Sequence, residues 1–116
     1  MEHSTEKIII YQVLPRLFGN DNNCCVPNGT LQENGCGKMA DFTGKALTEI
    51  KKLGATHIWY TGIIEHATQT DYRRYNISPD HPAIVKGKAG SPYAIKDYYD
   101  VDPDLAKDVP GRMKEF

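Results

Sequence analysis

The sequence predicts an α/β fold, because two strand-like segments flank one amphipathic helix. Residues 7–14 and 56–64 are rich in β-branched and aromatic side chains. Their nearly continuous apolar character is typical of strands that are covered on both faces. Between them, residues 41–53 carry apolar side chains at helical spacing. Strand, helix and strand predict a βαβ unit, with parallel strands and a right-handed crossover.

The connection after the first strand is unusually long. Pro15 should end the strand, because proline lacks the N–H group that a sheet ladder uses. Residues 15–40 then contain many turn-forming Asn and Gly residues. We expect this segment to lack regular structure, and a loop of this length in a small domain is more often functional than idle.

The helix over residues 41–53 has recognisable ends. Either Asp41 or Thr43 can act as the N-cap by accepting the first free backbone N–H groups. Gly54 suits the position after the last turn, where the backbone often takes a positive φ. The apolar face of this helix must pack against another element, and the preceding strand is the nearest candidate.

The remainder of the chain shows no clear periodicity. Prolines and turn residues dominate residues 65–109, which we expect to form one elaborated loop. Pro110 opens a short helix that Asp108 can cap. This helix reaches only Phe116, so we interpret the chain as a truncated part of a larger domain.

Composition excludes several classes of function. Lys and Arg number 14 against 15 Asp and Glu, a net charge of -1. This balance gives no basic surface for nucleic acid or an anionic membrane. No apolar run is long enough to cross a bilayer, and the polar residues 2–7 do not resemble a secretory signal. We therefore expect a cytoplasmic protein with neither nucleic-acid nor membrane partners.

Common catalytic and metal motifs are missing from the sequence. Cys24, Cys25 and Cys36 lack the spacing of a zinc site, so we interpret them as free thiols. The glycines before Lys38 satisfy neither the P-loop nor the dinucleotide pattern. No GxSxG or HExxH motif occurs. We expect His57, inside the second strand, to be packed or hydrogen-bonded.

Acidic residues are concentrated between residues 97 and 108. In an extended chain, residues two apart project to one side at about 6.6 Å, within the separation of about 5 to 9.5 Å that glycosidase carboxylates use. Pro103 argues against a regular strand, so we interpret these residues as helix caps and solvated side chains rather than as a catalytic pair.

Tyrosine is used more than the other aromatic residues, with seven Tyr against three Phe and one Trp. Five of them lie in the second long loop: Tyr72, Tyr75, Tyr93, Tyr98 and Tyr99. An aromatic face with a hydroxyl group suits the binding of sugars. The alternative is that half-buried tyrosines anchor the loop.

Three ordered blocks resemble the α-amylase family of glycoside hydrolases. Residues 8–18 (IIIYQVLPRLF) resemble the opening strand of the family. Residues 47–63 (LTEIKKLGATHIWYTGI) are similar to its first helix and second strand, with Gly62 where proline is usual. Residues 93–103 (YAIKDYYDVDP) resemble the segment before its second helix, and Pro92 replaces the usual glycine. The order and spacing of the blocks strengthen the resemblance.

The resemblance implies a partial (β/α)8 TIM barrel, in which residues 1–116 are the N-terminal fragment of the catalytic domain. This fragment would hold the first βαβ unit, a long loop and the start of the next helix. The family hydrolyses α-glucosidic bonds of starch-like glucans or maltooligosaccharides with retention. Its catalytic carboxylates and its D-x-x-x-N-H block come from later strands, so this chain would hold no catalytic residue and would be inactive alone.

The resemblance also implies roles for particular residues. Tyr93 matches a tyrosine that stacks on the sugar ring beside the scissile bond, and Asp97 matches an aspartate that organises the same loop. We therefore expect both at the substrate-binding site. Calcium is common in the family, and Asp21, Asn22 and Asn23 offer oxygen ligands for it.

Two other classes of function remain open. A non-catalytic carbohydrate-binding module would bind maltooligosaccharides without turnover, and a small flavodoxin-like α/β domain would act in protein interaction.

The incomplete covering of the βαβ unit predicts one further property, self-association. One helix cannot cover both faces of two apolar strands, so we expect the fragment to self-associate through its open strand edges.

Overall fold

The chain forms a small mixed α/β fold around two separate two-stranded sheets. This computed structural model describes residues 7–116, and the polar residues 2–6, part of the argument against a secretory signal, lie outside the described residues. The strands are β1 (Ile10–Val13), β2 (His57–Tyr60), β3 (Ile64–His66) and β4 (Ile95–Val101). The helices are α1 (Pro15–Phe18), α2 (Leu31–Asn34), α3 (Gly44–Lys52) and α4 (Arg112–Glu115).

The predicted βαβ unit is confirmed in its order and strand direction. β1 pairs in parallel with β2, from Ile10 opposite His57 to Val13 opposite Tyr60, and α3 lies between them in the chain. Thr43 is the N-cap of α3, because its side chain accepts a hydrogen bond from the backbone N–H of Ala46 at 3.2 Å.

The structure also shows the roles of Gly54 and Asp41, the other residues predicted at the ends of this helix. Gly54 follows the last turn with a φ of 95°, as predicted. Asp41 instead accepts a hydrogen bond from the N–H of Lys38 at 2.7 Å and so closes the preceding 3-10 turn, Met39–Asp41. The helix therefore begins at Gly44, three residues later than predicted.

The predicted second strand is present but shorter than residues 56–64, because the chain turns at Gly62. β2 ends at Tyr60, and β3 begins at Ile64 in the other sheet. Gly62 has a φ of 86°, and a Cβ built on it would lie 3.1 Å from Cβ of Pro92. A positive φ suits glycine far better than a residue with a side chain, so this glycine permits the change of sheet.

The predicted continuous loop over residues 65–109 is also wrong. β4 pairs antiparallel with β3, with Glu65 opposite Asp97 and register shifts on both sides of Glu65. Three 3-10 helices add further regular structure: Arg73–Tyr75, Pro82–Ile84 and Pro103–Leu105. Pro103 follows the strand and opens one of these helices, so it ends β4 without preventing it.

The first long connection is more regular than expected. Pro15 ends β1, as predicted, and starts the single turn of α1. In α2, the side chain of Thr30 accepts from the N–H of Glu33, and the Glu33 carboxylate accepts from the N–H of Thr30. The short helix predicted at Pro110 is present as the 3-10 turn Val109–Gly111, which continues directly into α4. Asp108 is its N-cap residue, but its side chain makes no capping hydrogen bond.

The hydrophobic core lies beside the β3–β4 sheet. Met39, Val101, Leu105 and Ala106 form one buried cluster, against which Cys36 and Ile63 pack. The βαβ unit is only partly covered, as its single helix predicts: Val13 and Ile50 are buried, whereas Ile10 and Trp59 are exposed. Within residues 7–116, no helix has the length and apolar character needed to cross a membrane.

Candidate functional site

The most buried polar groups belong to Asp102 and Asp104, directly after β4. Asp104 is 0% exposed and Asp102 is 1% exposed. The side chain of Asp102 accepts a hydrogen bond from the N–H of Asp104 at 3.0 Å and so caps the short 3-10 helix Pro103–Leu105. This turn holds both carboxylates inside the molecule, where each needs a partner to offset its lost hydration.

The Asp104 carboxylate receives donors from two distant segments. Arg16, directly after β1, donates from a terminal guanidinium nitrogen to Oδ2 at 2.6 Å. Thr68 donates its hydroxyl to the same oxygen at 3.2 Å, and the Tyr72 hydroxyl donates to Oδ1. Burial, and then the nearby Asp104 charge, raise the pKa of the Tyr72 hydroxyl, so this hydroxyl keeps its proton and donates it.

The backbone carbonyl of Asp104 connects the same turn to the first long connection. Nζ of Lys38 donates to this oxygen at 2.6 Å, and Sγ of Cys36 lies 3.4 Å from it. Burial raises the pKa of the Cys36 thiol, so the sulfur is a poor nucleophile here. None of the three cysteines forms a disulfide bond in the structure.

His66 makes a buried charged contact with Asp102. Nε2 of His66 lies 2.8 Å from Oδ2 of Asp102, and Nδ1 lies 3.1 Å from the carbonyl oxygen of Ala67. Because both neighbours are acceptors, the ring is best satisfied with a proton on each nitrogen. Burial alone lowers the pKa of His66, but the contact with Asp102 outweighs it, and the pKa is raised.

We expect the chain to lose stability as the pH rises through the folded-state pKa of His66. The unperturbed pKa is 6.5 and the folded value is higher. The stabilising contact is therefore complete below pH 6.5 and is lost as the ring deprotonates above it. Urea unfolding between about pH 6 and pH 8.5 measures this slope. His66→Gln should flatten it, and equal slopes for both proteins would contradict the assignment.

A cleft of about 680 Å³ lies beside Arg16. Asn20, Asn34, Gln69 and Thr70 from the two long connections contribute to its lining, but most of the lining surface is apolar. The amide groups of Asn20, Asn34 and Gln69 already hydrogen-bond to backbone groups. Arg16 connects the cleft to the network around Asp104.

The two predicted substrate residues lie outside the lining of this cleft. Tyr93 is 75% exposed, and its N–H donates to Oγ of Ser91 at 3.2 Å. Asp97 is exposed on β4, where its Oδ1 accepts from the N–H of Tyr99 at 2.8 Å. The structure leaves both residues free to meet a ligand, and their roles stay predictions.

One of the residues suggested for calcium already has its side-chain oxygen in a hydrogen bond. Oδ1 of Asn22 accepts a hydrogen bond from the N–H of Cys24 at 2.8 Å, and Asp21 is the only carboxylate of the three. A single carboxylate is a weak ligand set for calcium, so no chemistry is assigned to these residues. His57 is exposed rather than packed, but its Nδ1 lies 2.8 Å from the Thr56 hydroxyl, as the hydrogen-bonded alternative predicts.

Sequence reasoning missed most of the buried network. Asp102 acts as a cap, as predicted, but the expectation that the acidic run is solvated is wrong for Asp102 and Asp104. One signal was present, because these two acids lie between the apolar residues Val101 and Leu105. No sequence signal marked Arg16, His66 or Thr68 as their partners.

No family model, curated protein or solved structure matches this chain.

Proposed function

We propose that this chain is the N-terminal part of the catalytic barrel of an α-amylase-type glycoside hydrolase. The enzyme would hydrolyse α-glucosidic bonds of starch-like glucans or maltooligosaccharides with retention. Support comes from the three sequence blocks and from the parallel β1–α3–β2 unit, which has the strand order and direction that such a barrel repeats.

The single observation that carries this proposal is the position of the polar network. Arg16 follows the carboxyl end of β1, and Thr61 follows that of β2, where its hydroxyl accepts from Nε2 of Gln12 at 2.8 Å. Active sites of (β/α)8 barrels lie at this end of the strands, in the loops that follow. Arg16 also links this end to Asp104 and the adjoining cleft.

The open sheet supports the same proposal. Ile8 is 70% exposed, Ile10 57% and Trp59 53%, although all three belong to strand-like apolar segments. Parallel sheets are normally covered on both faces. Further strands and helices of a barrel would cover these side chains, whereas the 116-residue chain alone would self-associate through them.

In this proposal the chain contributes substrate contacts rather than catalytic groups. Tyr93 would stack on a glucose ring, and Asp97 would organise the same loop. The nucleophilic carboxylate and the acid/base would come from later strands. A reading frame that continues after Phe116 and encodes the D-x-x-x-N-H block would support this arrangement. A stop codon directly after Phe116 would count against it.

We expect Tyr93→Ala to impair hydrolysis of maltoheptaose by the product of the complete reading frame. Loss of a stacking ring should lower kcat/KM by about tenfold or more, which corresponds to about 1.4 kcal/mol. Tyr98→Ala is the matched control, because Tyr98 is 74% exposed against 75% for Tyr93. Steady-state kinetics of the three proteins measure the difference.

Binding and hydrolysis of maltoheptaose, measured together, separate the three classes of function. Saturable binding of maltoheptaose that depends on Tyr93 but gives no hydrolysis would favour a carbohydrate-binding module. Absence of both binding and hydrolysis would favour an interaction domain. Equal kcat/KM values for both tyrosine variants would remove Tyr93 from the substrate site.

A further inference from the structure

The β3–β4 sheet carries a second group of acids, separate from the Asp102 and Asp104 network. Glu65 lies opposite Asp97 in the register of this sheet, and Asp100 lies further along β4. Carboxylate oxygens of Glu65, Asp97 and Asp100 all lie within 4.8 Å of one another. Glu65 and His66 are both buried, but His66 contacts Asp102 whereas Glu65 lies near Asp97 and Asp100.

Glu65 is the unusual member of this group. It is 5% exposed, yet neither a hydrogen bond nor an ion pair to its carboxylate occurs within residues 7–116. Burial, followed by the nearby charge of Asp100, raises the pKa of Glu65. A buried carboxylate without a partner is destabilising, and two neighbouring carboxylates increase that penalty. The Glu65 carboxylate therefore has no direct ion-pair partner among residues 7–116.

Two nearby cations, Lys96 and Arg112, favour the ionised form of Glu65, but in the described residues neither forms an ion pair with its carboxylate. Arg112 binds both oxygens of Asp100, with distances of 2.9 Å from Nε and 2.7 Å from the terminal nitrogen. Nζ of Lys96 lies 3.1 Å from Asp80 and also donates to the Ser78 carbonyl. Three carboxylates against the one paired arginine leave a formal charge of about -2 when all are ionised.

We propose that Glu65, Asp97 and Asp100 bind a hard divalent cation, with Glu65 as the buried ligand. Carboxylate oxygens are the ligands that Ca²⁺ and Mg²⁺ prefer, and either ion can complete its coordination with water. Asp97 is exposed, so a cation can enter from solvent on its side. The bound ion would neutralise Glu65 and hold β3 against β4 beside the register shifts.

The test is calorimetric titration of the chelator-treated full chain with CaCl₂ and, separately, with MgCl₂. We expect saturable binding of one ion per chain with a Kd at or below about 1 mM, the weakest range of known protein calcium sites. Glu65→Gln should weaken binding by about tenfold or more. Asp71→Asn is the matched control, because Asp71 is an exposed, arginine-paired carboxylate outside the group, and its binding should equal wild type.

A second variant keeps the test valid if Glu65→Gln fails to fold. Asp97 is exposed, so Asp97→Asn should preserve the circular dichroism spectrum while it weakens binding. The cation should also raise the urea midpoint of the wild type more than that of Asp97→Asn. The proposal is overturned if the wild type shows no saturable binding of either ion, or if Asp97→Asn binds as tightly as the wild type. Because no carbohydrate is present, these results are independent of the proposed glucan hydrolysis.

Discussion

Replacing Asp104 with alanine is expected to lower the free energy of unfolding by about 3–5 kcal/mol. Asp104 is 0% exposed, and its carboxylate is the shared acceptor for Arg16, Thr68 and Tyr72. Without it, a mostly buried guanidinium keeps only the longer contact with Asp102 at 3.7 Å, and the Tyr72 hydroxyl loses its acceptor. Breaking a buried charged contact from one side is costly because the remaining charge stays desolvated.

Urea unfolding followed by circular dichroism measures this loss. Asp104→Asn keeps the shape and one acceptor oxygen, so it should fall between the wild type and Asp104→Ala. Asp71→Ala removes an exposed carboxylate that pairs with Arg73, and its midpoint should stay close to that of the wild type. A wild-type midpoint for Asp104→Ala would show that the network does not hold the fold together.

The elements that the sequence predicts well depend on near neighbours. Thr43 caps α3 through a residue three positions away, and Gly54 ends it through its own backbone freedom. Such interactions can be recognised from a short window of sequence. The boundaries are less accurate, because the start of α3 depends on Asp41, which closes the preceding turn instead.

The elements that the sequence misses depend on distant partners. β4 contains the polar run Asp97 to Asp100, and it is a strand because β3 supplies its backbone hydrogen bonds. The burial of Asp104 depends on Arg16, 88 residues away, and on Thr68, 36 residues away. An acidic residue is interpreted as solvated unless its partner is known, and sequence patterns do not identify partners at such separations.

The candidate site likewise contains residues that the sequence identifies and residues that it misses. The sequence singled out Tyr93 and Asp97 through a motif, and the structure leaves both exposed. It gave no indication that Glu65 would face Asp97, because that contact follows from the turn at Gly62 and the register of β3 with β4. Tertiary geometry therefore adds a cation-binding role to a residue that the motif connected only with substrate.

Self-association of the 116-residue chain at micromolar concentration is the second large effect that we expect. β1 and β2 form a sheet of only two strands, so each has one edge without a partner strand in residues 7–116. Ile8 and Ile10 stand exposed at the start of β1, and Trp59 stands exposed on β2. Open edges with apolar side chains pair readily between chains. Sedimentation velocity should therefore show dimers or larger species whose fraction rises with concentration.

A charge placed on this edge should reverse the association. The double variant Ile8→Lys/Ile10→Lys puts two like charges where two chains would meet, so it should shift the population towards monomer. Ile84→Lys is the matched control, because Ile84 is 60% exposed against 57% for Ile10 but belongs to neither sheet. If the wild type is a cooperative monomer, its apolar strands do not need further barrel elements to cover them. That result would weaken both the self-association and the proposed barrel.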